Sequence, residues 1–158
     1  MTLTHIHTFV WIGAALAAAF MLELSGALRI GAAGVFAPLI IILLVGFFSV
    51  RWFAGFLAFL LLLLSFLVAP FWVLEVGGVA LLTLFLLIAA PFLTGNRFID
   101  FSILLAVGAA LIAIGGAWTH GGVSLAVVLV TILLNLAVGA TVFALLDRYA
   151  SRARSFAL

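Results

Sequence analysis

The chain has 158 residues, of which 70% are apolar and only 6% are charged, and its mean hydropathy is +1.61. A soluble domain carries about 25% charged residues, so this composition is typical of a polytopic membrane protein. The sequence contains no cysteine, which excludes disulfides, thiolate catalysis and thiolate metal sites. The net charge of +2 comes from six arginines and four acids, and the positions of the arginines matter more than their sum.

Apolar runs of helix length divide the chain into six predicted membrane spans. A helical bilayer crossing takes about 20 apolar residues, so the long run 35–69, whose one charge is Arg51, contains two crossings and a turn. We therefore predict an all-α, polytopic membrane helical bundle that forms one integral membrane domain over residues 1–158. The predicted spans are 9–28, 35–50, 53–69, 79–93, 101–118 and 123–146, followed by a basic tail at 147–158.

Local signals along the chain support these boundaries. The first span is rich in Ala and Gly, which allows a close helix neighbour, and the lack of Lys or Arg before it favours a retained span over a cleaved signal. Pro38 is predicted in the first turn of the second span, and Pro70 ends the third. Asp100 stands immediately before the fifth span, where an N-cap is expected.

The arginines predict the orientation of the bundle. Placing the tail in the cytoplasm puts five of the six on that side, namely Arg51, Arg97, Arg148, Arg152 and Arg154. This arrangement follows the positive-inside rule and leaves Arg29 on the other side. It gives six transmembrane helices with both termini cytoplasmic. A five-helix alternative, in which residues 70–93 form a re-entrant or interfacial segment, would place the N-terminus outside.

A few polar residues in or near the spans are candidate contacts for a partner or ligand. Glu23 lies near the end of the first span, where an acid suggests proton coupling or cation binding, or a carboxylate paired with Arg29 at the interface. Asn135 is near the middle of the last span, and its amide should hydrogen-bond across the bundle. Arg97 and Asp100 are three residues apart and could pair locally, although a cytoplasmic partner could bind Arg97 instead.

The remaining polar residues predict contacts with lipid or with the chain itself. The tail arginines Arg148, Arg152 and Arg154 are expected to contact anionic lipid. Hydroxyls within the spans are expected to bond to carbonyls of their own helices. Topology places His7 and His120 on opposite sides of the membrane, so no metal site is predicted. The full set of candidate partner or ligand contacts is Glu23, Arg51, Glu75, Arg97, Asp100 and Asn135.

Several functional classes lack their sequence motifs. The chain has no glycine-rich phosphate loop with lysine and no G-x-S-x-G elbow, and its acids are not paired at helical spacing. A pore would line its path with polar groups, of which there are few here. We therefore expect no enzyme activity, no cofactor and no nucleic-acid binding.

The layout of the second and third spans resembles a known family. A proline-led run (Pro38-Leu-Ile-Ile-Ile-Leu-Leu-Val), an arginine corner (Ser49-Val-Arg-Trp-Phe) and a glycine-containing return helix (residues 54–57) are similar to the rod-shape-determining membrane protein MreD. The similarity continues in the polar loop before the fifth span and in the last helix, which ends Leu145-Leu-Asp-Arg. Two positions depart from the family pattern. Leu39 stands where Asp or Asn is common, and Ser65 is the nearest polar group to a late acid in the third span.

This resemblance implies a non-catalytic scaffold in the bacterial cytoplasmic (inner) membrane. MreD-like proteins help to organise the cell-elongation and peptidoglycan-synthesis machinery with MreC, MreB and RodA and its penicillin-binding partner, and so support rod shape. The implied partners are membrane lipid and such membrane proteins, which would dock helix to helix. The alternative is a small transport component, such as a vitamin-binding subunit of an energy-coupling-factor transporter or another permease subunit.

Overall fold

The computed structural model describes residues 3–30, 33–48, 51–68, 85, 88–89, 92–119, 122 and 124–155. Within these ranges the chain is mostly helical, as predicted. Five helices are described, α1 (Leu3–Leu24), α2 (Ala37–Phe48), α3 (Arg51–Val68), α4 (Arg97–Thr119) and α5 (Leu125–Ser155). A short antiparallel hairpin of β1 (Arg29–Ile30) and β2 (Ala33–Gly34) precedes α2. Most of the predicted fourth span, 79–93, lies outside the described residues.

Helix α2 lies at the centre of the bundle. It contacts α1, α3, α4 and α5, and its residues Leu39, Ile42 and Leu43 are completely buried. A helix that is apolar on every side must be surrounded to remove that surface from water. Pro38 falls in its first turn, as predicted, where the missing N–H donor costs no helical hydrogen bond. The predicted helical hairpin is confirmed as a pair of packed helices, because α2 and α3 contact each other and two residues separate them. Helix α2 is shorter than the predicted second span, 35–50.

Helix α3 is buried along one stripe only. Its buried side chains recur at helical spacing and are Phe53, Leu57, Ala58 and Leu61. Large apolar side chains on its other faces are at least half exposed, and these are Phe56, Phe59, Leu63, Phe66 and Leu67. The outer surface of α3 is therefore as apolar as its packed stripe.

Helix α1 ends four residues before its predicted end at Leu28. Ser25 Oγ donates a hydrogen bond to Leu22 O at 2.8 Å, and Gly26 follows with a φ of 72°. Glycine adopts this left-handed conformation without a Cβ clash and so terminates the helix. The chain then forms the β1–β2 hairpin, with Arg29 opposite Gly34, where the sequence predicted only a short connection.

Helices α4 and α5 form the most extensive helix pair among the described elements. Gly139 permits their close approach, because a Cβ at this position would overlap Leu105 Cδ2 and lie 3.4 Å from the Phe101 ring. Each helix contains an uninterrupted stretch long and apolar enough to cross a membrane, Arg97–Gly115 in α4 and Leu125–Tyr149 in α5. These are the two such stretches found among the described residues.

Helix α5 extends further than predicted. The sequence placed its end at Leu146 and a basic tail beyond it, whereas the helix continues to Ser155. Residues 147–155 contain no Gly or Pro, and Arg and Ala favour helix, so nothing in this segment breaks the hydrogen-bond ladder. Arg148, Arg152 and Arg154 are therefore carried on helical backbone.

The close α4–α5 approach predicts that a large side chain is tolerated at Gly115 and not at Gly139. Gly139→Leu should lower the free energy of unfolding by about 1–3 kcal/mol, because the new side chain must displace Leu105 in a packed contact. Gly115→Leu, which meets open space on α4, is the matched control and should change it by less than about 1 kcal/mol. Denaturant unfolding of the purified chains measures both, and equal losses would contradict the assigned packing.

Candidate functional site

Asn135 is a fully buried amide that bonds to three backbone groups. Its Nδ2 donates to Gly34 O at 2.9 Å and to Thr131 O at 2.8 Å, and its Oδ1 accepts from the Phe36 N–H at 2.8 Å. Thr131 belongs to the same helix, whereas Gly34 and Phe36 lie about 100 residues earlier in the chain. The side chain thus ties α5 to the segment between β2 and α2.

These hydrogen bonds provide a partner for a backbone group at the start of α2 that has none within the helix. Phe36 is the N-cap of α2, since its carbonyl accepts the hydrogen bond from the Ile40 N–H. Its own N–H therefore has no place in the helical ladder, and a buried donor left without a partner costs about 1–3 kcal/mol. The predicted cross-bundle partner of Asn135 is confirmed. It is the backbone before α2 and not a side chain on a neighbouring helix.

Asp100 organises the loop that precedes α4. It is buried, and its Oδ1 accepts from the Thr94 N–H at 2.9 Å and from the Thr94 hydroxyl at 2.7 Å, while Oδ2 accepts from the Gly95 N–H at 3.1 Å. A carboxylate bound by three donors within the first turn of a helix is also stabilised by the helix dipole. The structure therefore gives Asp100 a fold-stabilising role.

The predicted N-cap at Asp100 is wrong, because α4 begins at Arg97, four residues before the predicted start. The cap is Asn96, whose Oδ1 accepts from the N–H groups of Phe98 at 3.1 Å and Ile99 at 3.4 Å. Asp100 Oδ1 accepts from Thr94 and Oδ2 accepts from Gly95, and these hydrogen bonds take the place of the ion pair expected between Asp100 and Arg97. Arg97 itself is exposed on the first turn of α4.

A cluster of phenylalanines joins three helices at one end of the bundle. The Phe143 ring of α5 lies 4.9 Å from Phe48 at the end of α2, 5.7 Å from Phe98 and 4.8 Å from Phe101 at the start of α4. Such tilted and edge-on ring pairs contribute about 0.5–1.5 kcal/mol beyond the area they bury. The phenylalanine cluster fixes where these three helix segments meet.

Three arginines are close in sequence to residues of the phenylalanine cluster. Arg51 follows Phe48 by three residues, Arg97 precedes Phe98, and Arg148 follows Phe143 by five. Arg29 lies in the hairpin before α2, whose 12 residues place it about 18 Å away along that helix. Three of the five arginines that the sequence predicted on one side therefore belong to segments near the same end of the described bundle, and Arg29 is near the other end of α2.

The other candidate residues are less tightly placed. Glu23 lies in the last turn of α1, with its side chain partly buried and its Oε2 shielded from solvent. Its pairing with Arg29 stays a prediction, and Glu75 lies outside the described residues.

Within the described ranges, no three His, Asp or Glu side chains are grouped as metal ligands. The predicted hydroxyl bonds to the same helix are confirmed for Ser102 and Thr141, which donate to Phe98 O and Ala137 O.

An open groove of about 370 Å³ runs along the α4–α5 pair near the phenylalanine cluster. It is lined by Phe98, Ala140, Thr141, Ala144, Leu145 and Arg148. This groove was not predicted from the sequence. Its signal was the spacing of two small residues and a cation at every fourth position, Ala140, Ala144 and Arg148, which places all three on one stripe of a helix.

Comparison of the chain with protein-family models, curated proteins and solved structures finds no match.

The hydrogen bonds of Asn135 predict a large effect from removing its amide. Asn135→Leu should reduce the free energy of unfolding by at least about 2 kcal/mol, because the Phe36 N–H and Gly34 carbonyl lose a buried partner. Thr141→Val is the control, since its exposed hydroxyl bonds within its own helix, and it should change stability by about 0.5 kcal/mol or less. Wild-type stability in Asn135→Leu would refute the role assigned to the amide.

The two aspartates at the arginine-rich end should differ sharply in their effect on stability. Asp100→Ala should lower the free energy of unfolding by about 1.5–3 kcal/mol, because three hydrogen bonds to a buried carboxylate are lost. Asp147→Ala removes an exposed charge and should change it by about 0.5 kcal/mol or less. Chemical unfolding of both variants tests this, and an equal effect would show that Asp100 does not hold the loop.

Proposed function

We propose that the chain is an integral membrane protein of six helical spans. The observation that carries this proposal is the amount of apolar surface on the outside of the bundle. Large side chains on three helices are more than half exposed, including Trp11 at 72% on α1, Phe66 at 68% on α3 and Leu133 at 65% on α5. A soluble monomer rarely exposes contiguous apolar surface of this extent, whereas a bilayer covers it at no cost.

The non-helical backbone before α2 is compatible with a place inside the membrane. At hydrocarbon depth, backbone N–H and C=O groups need partners within the protein. The hydrogen bonds of Asn135 to Gly34 and Phe36 provide such partners. Asn135 lies 13 residues before Arg148 on α5, or about 20 Å along the helix, so the β1–β2 hairpin would lie within the opposite leaflet of a bilayer about 30 Å thick.

The orientation follows from the arginine-rich end. Arg51, Arg97 and Arg148 lie at or near the end marked by the phenylalanine cluster, and cytoplasmic loops are enriched in arginine. This end would face the cytoplasm, with both termini on the same side. A bacterial inner membrane fits this arrangement.

Within that membrane we assign the chain a non-catalytic scaffold role, in line with its resemblance to MreD. The buried polar side chains among the described residues are Asp100, Thr131 and Asn135. The hydrogen bonds of Asp100 and Asn135 go to the chain itself, so these groups support the fold. The apolar outer faces and the arginine-rich end then remain for partners, which would be MreC-like and RodA-like proteins, the latter with a penicillin-binding partner.

Single-cysteine labelling tests the orientation, and the absence of native cysteine gives it a clean background. Ala27→Cys lies beyond α1 and Asp147→Cys lies near the arginine-rich end, and both positions are exposed. In spheroplasts, a membrane-impermeant maleimide should label Ala27→Cys at once and label Asp147→Cys only after permeabilisation. Labelling of Asp147→Cys in intact spheroplasts would reverse the orientation.

Recovery of bound proteins tests the scaffold role. The tagged chain, solubilised gently from its native membrane, should carry MreC-like or RodA-like proteins. An exposed α3 residue offers a matched test of docking, because Phe66→Ala should lower recovery without altering stability, whereas buried Leu61→Ala should destabilise the fold by about 2–5 kcal/mol. Recovery of an ATPase pair would contradict the scaffold role and favour a transport component.

A further inference from the structure

We propose that the α4–α5 groove holds one anionic phospholipid, with its phosphate at Arg148 and an acyl chain along the groove wall. This inference rests on the proposed membrane location and adds a specific ligand to it. The groove of about 370 Å³ combines a cationic end with an apolar floor.

The floor of the groove suits a hydrocarbon chain. Ala140 and Ala144 leave a shallow depression on α5, and Phe98 and Leu145 form its sides. Thr141 is the polar uncharged residue there, and its hydroxyl donates to Ala137 O at 2.6 Å. Its donor is therefore used within the helix, so the floor does not require a polar ligand.

The cation lies at the depth where lipid headgroups would be. Residues 125–146 of α5 carry no charge, and Asp147 and Arg148 are the first charged residues that follow. Tyr149 is exposed at this level, which is typical of a membrane interface. From Arg148 the stripe through Ala144 to Ala140 extends about 12 Å into the apolar part of the helix. A phosphate at the guanidinium thus directs its acyl chain into the groove.

Among the residues that the structure describes, the charges near Arg148 favour an anion at this position. Arg97 is adjacent to Phe98 on the opposite wall, and the N-terminal end of α4 contributes the positive end of its dipole. The nearest acid on α4, Asp100, is buried and bound by three donors from Thr94 and Gly95. Asp147 neighbours Arg148 in sequence, but successive residues point about 100° apart around a helix.

The test measures retention of phosphatidylglycerol by the purified full-length chain, using native mass spectrometry in detergent. Wild-type protein should retain one phosphatidylglycerol per chain and should not retain phosphatidylcholine under the same conditions. Arg148→Gln should weaken retention about fivefold, the effect expected for one cation near a membrane surface. Ala144→Leu should weaken it comparably by filling the groove while leaving every charge in place.

Two controls separate a specific site from general attraction. Arg152→Gln removes the same charge one turn further along α5 and should change retention less than twofold. Equal losses from Arg148→Gln and Arg152→Gln, with none from Ala144→Leu, would overturn the groove site. Effective competition by soluble glycerophosphate would show that the headgroup anion alone is bound, which would also overturn it.

Other outcomes distinguish this inference from the proposed function. A change in oligomeric state in Ala144→Leu with unchanged lipid retention would assign the groove to helix docking and contradict the lipid site. Alkaline carbonate extraction of native membranes tests the location independently. A chain that stays in the membrane pellet but retains no phosphatidylglycerol refutes the lipid site alone, whereas a chain released by carbonate refutes the membrane location.

Discussion

The hydrogen bonding of one buried amide, Asn135, determines how the centre of this bundle is assembled. Helix α2 is apolar on all sides, so its hydrophobic contacts alone would tolerate sliding or rotation within its surroundings. The bonds from Asn135 to Gly34 and Phe36 remove that freedom at the start of the helix. They fix the register of α2 against α5, and the positions of α1 and α3 follow because both pack on α2.

The other end of α2 is held by a different kind of contact. Phe47 and Phe48 meet Phe101 and Phe143 through ring contacts of 4.9–6.2 Å that join α2, α4 and α5. A directional polar contact at one end and a packed aromatic group at the other define both the position and the tilt of the central helix. The same aromatic group sets the arginine-rich end and lies beside the α4–α5 groove. The phenylalanine cluster therefore helps to position α2, marks the arginine-rich end on which the proposed orientation depends, and lies beside the groove proposed to bind lipid.

Much of this arrangement could be predicted from the sequence, because strong apolar runs and isolated polar residues are local signals. The α2–α3 hairpin, the place of Pro38 and the cross-bundle bonding of Asn135 all followed from such signals. The partner of Asn135 did not, since Gly34 belongs to the β1–β2 pair and its bond to Asn135 joins residues about 100 positions apart in the chain. Periodicity along one segment contains no information about that contact.

The errors at helix ends have a related cause. Asn96 and Asp100 are both good caps, and the choice between them depends on whether the residues from Arg97 onward continue the helix. Asp100 was predicted as the cap because the apolar run begins after it, yet its carboxylate binds the loop from inside the first turn. Similarly, residues 147–158 were predicted to be a tail separate from the last helix because they are charged, although charge does not break a helix. The extra helical turns place the arginines of this segment beyond the apolar part of α5.

Hydrogen exchange at the Phe36 backbone amide most directly tests the central role of Asn135. In the wild-type chain this N–H should be protected to the same degree as the amide of Val45, inside α2. In Asn135→Leu its protection should fall at least about tenfold further than that of Val45, since it alone of the two loses its acceptor. Equal protection of both amides in the variant would contradict the account, because it would mean that the start of α2 is held without Asn135.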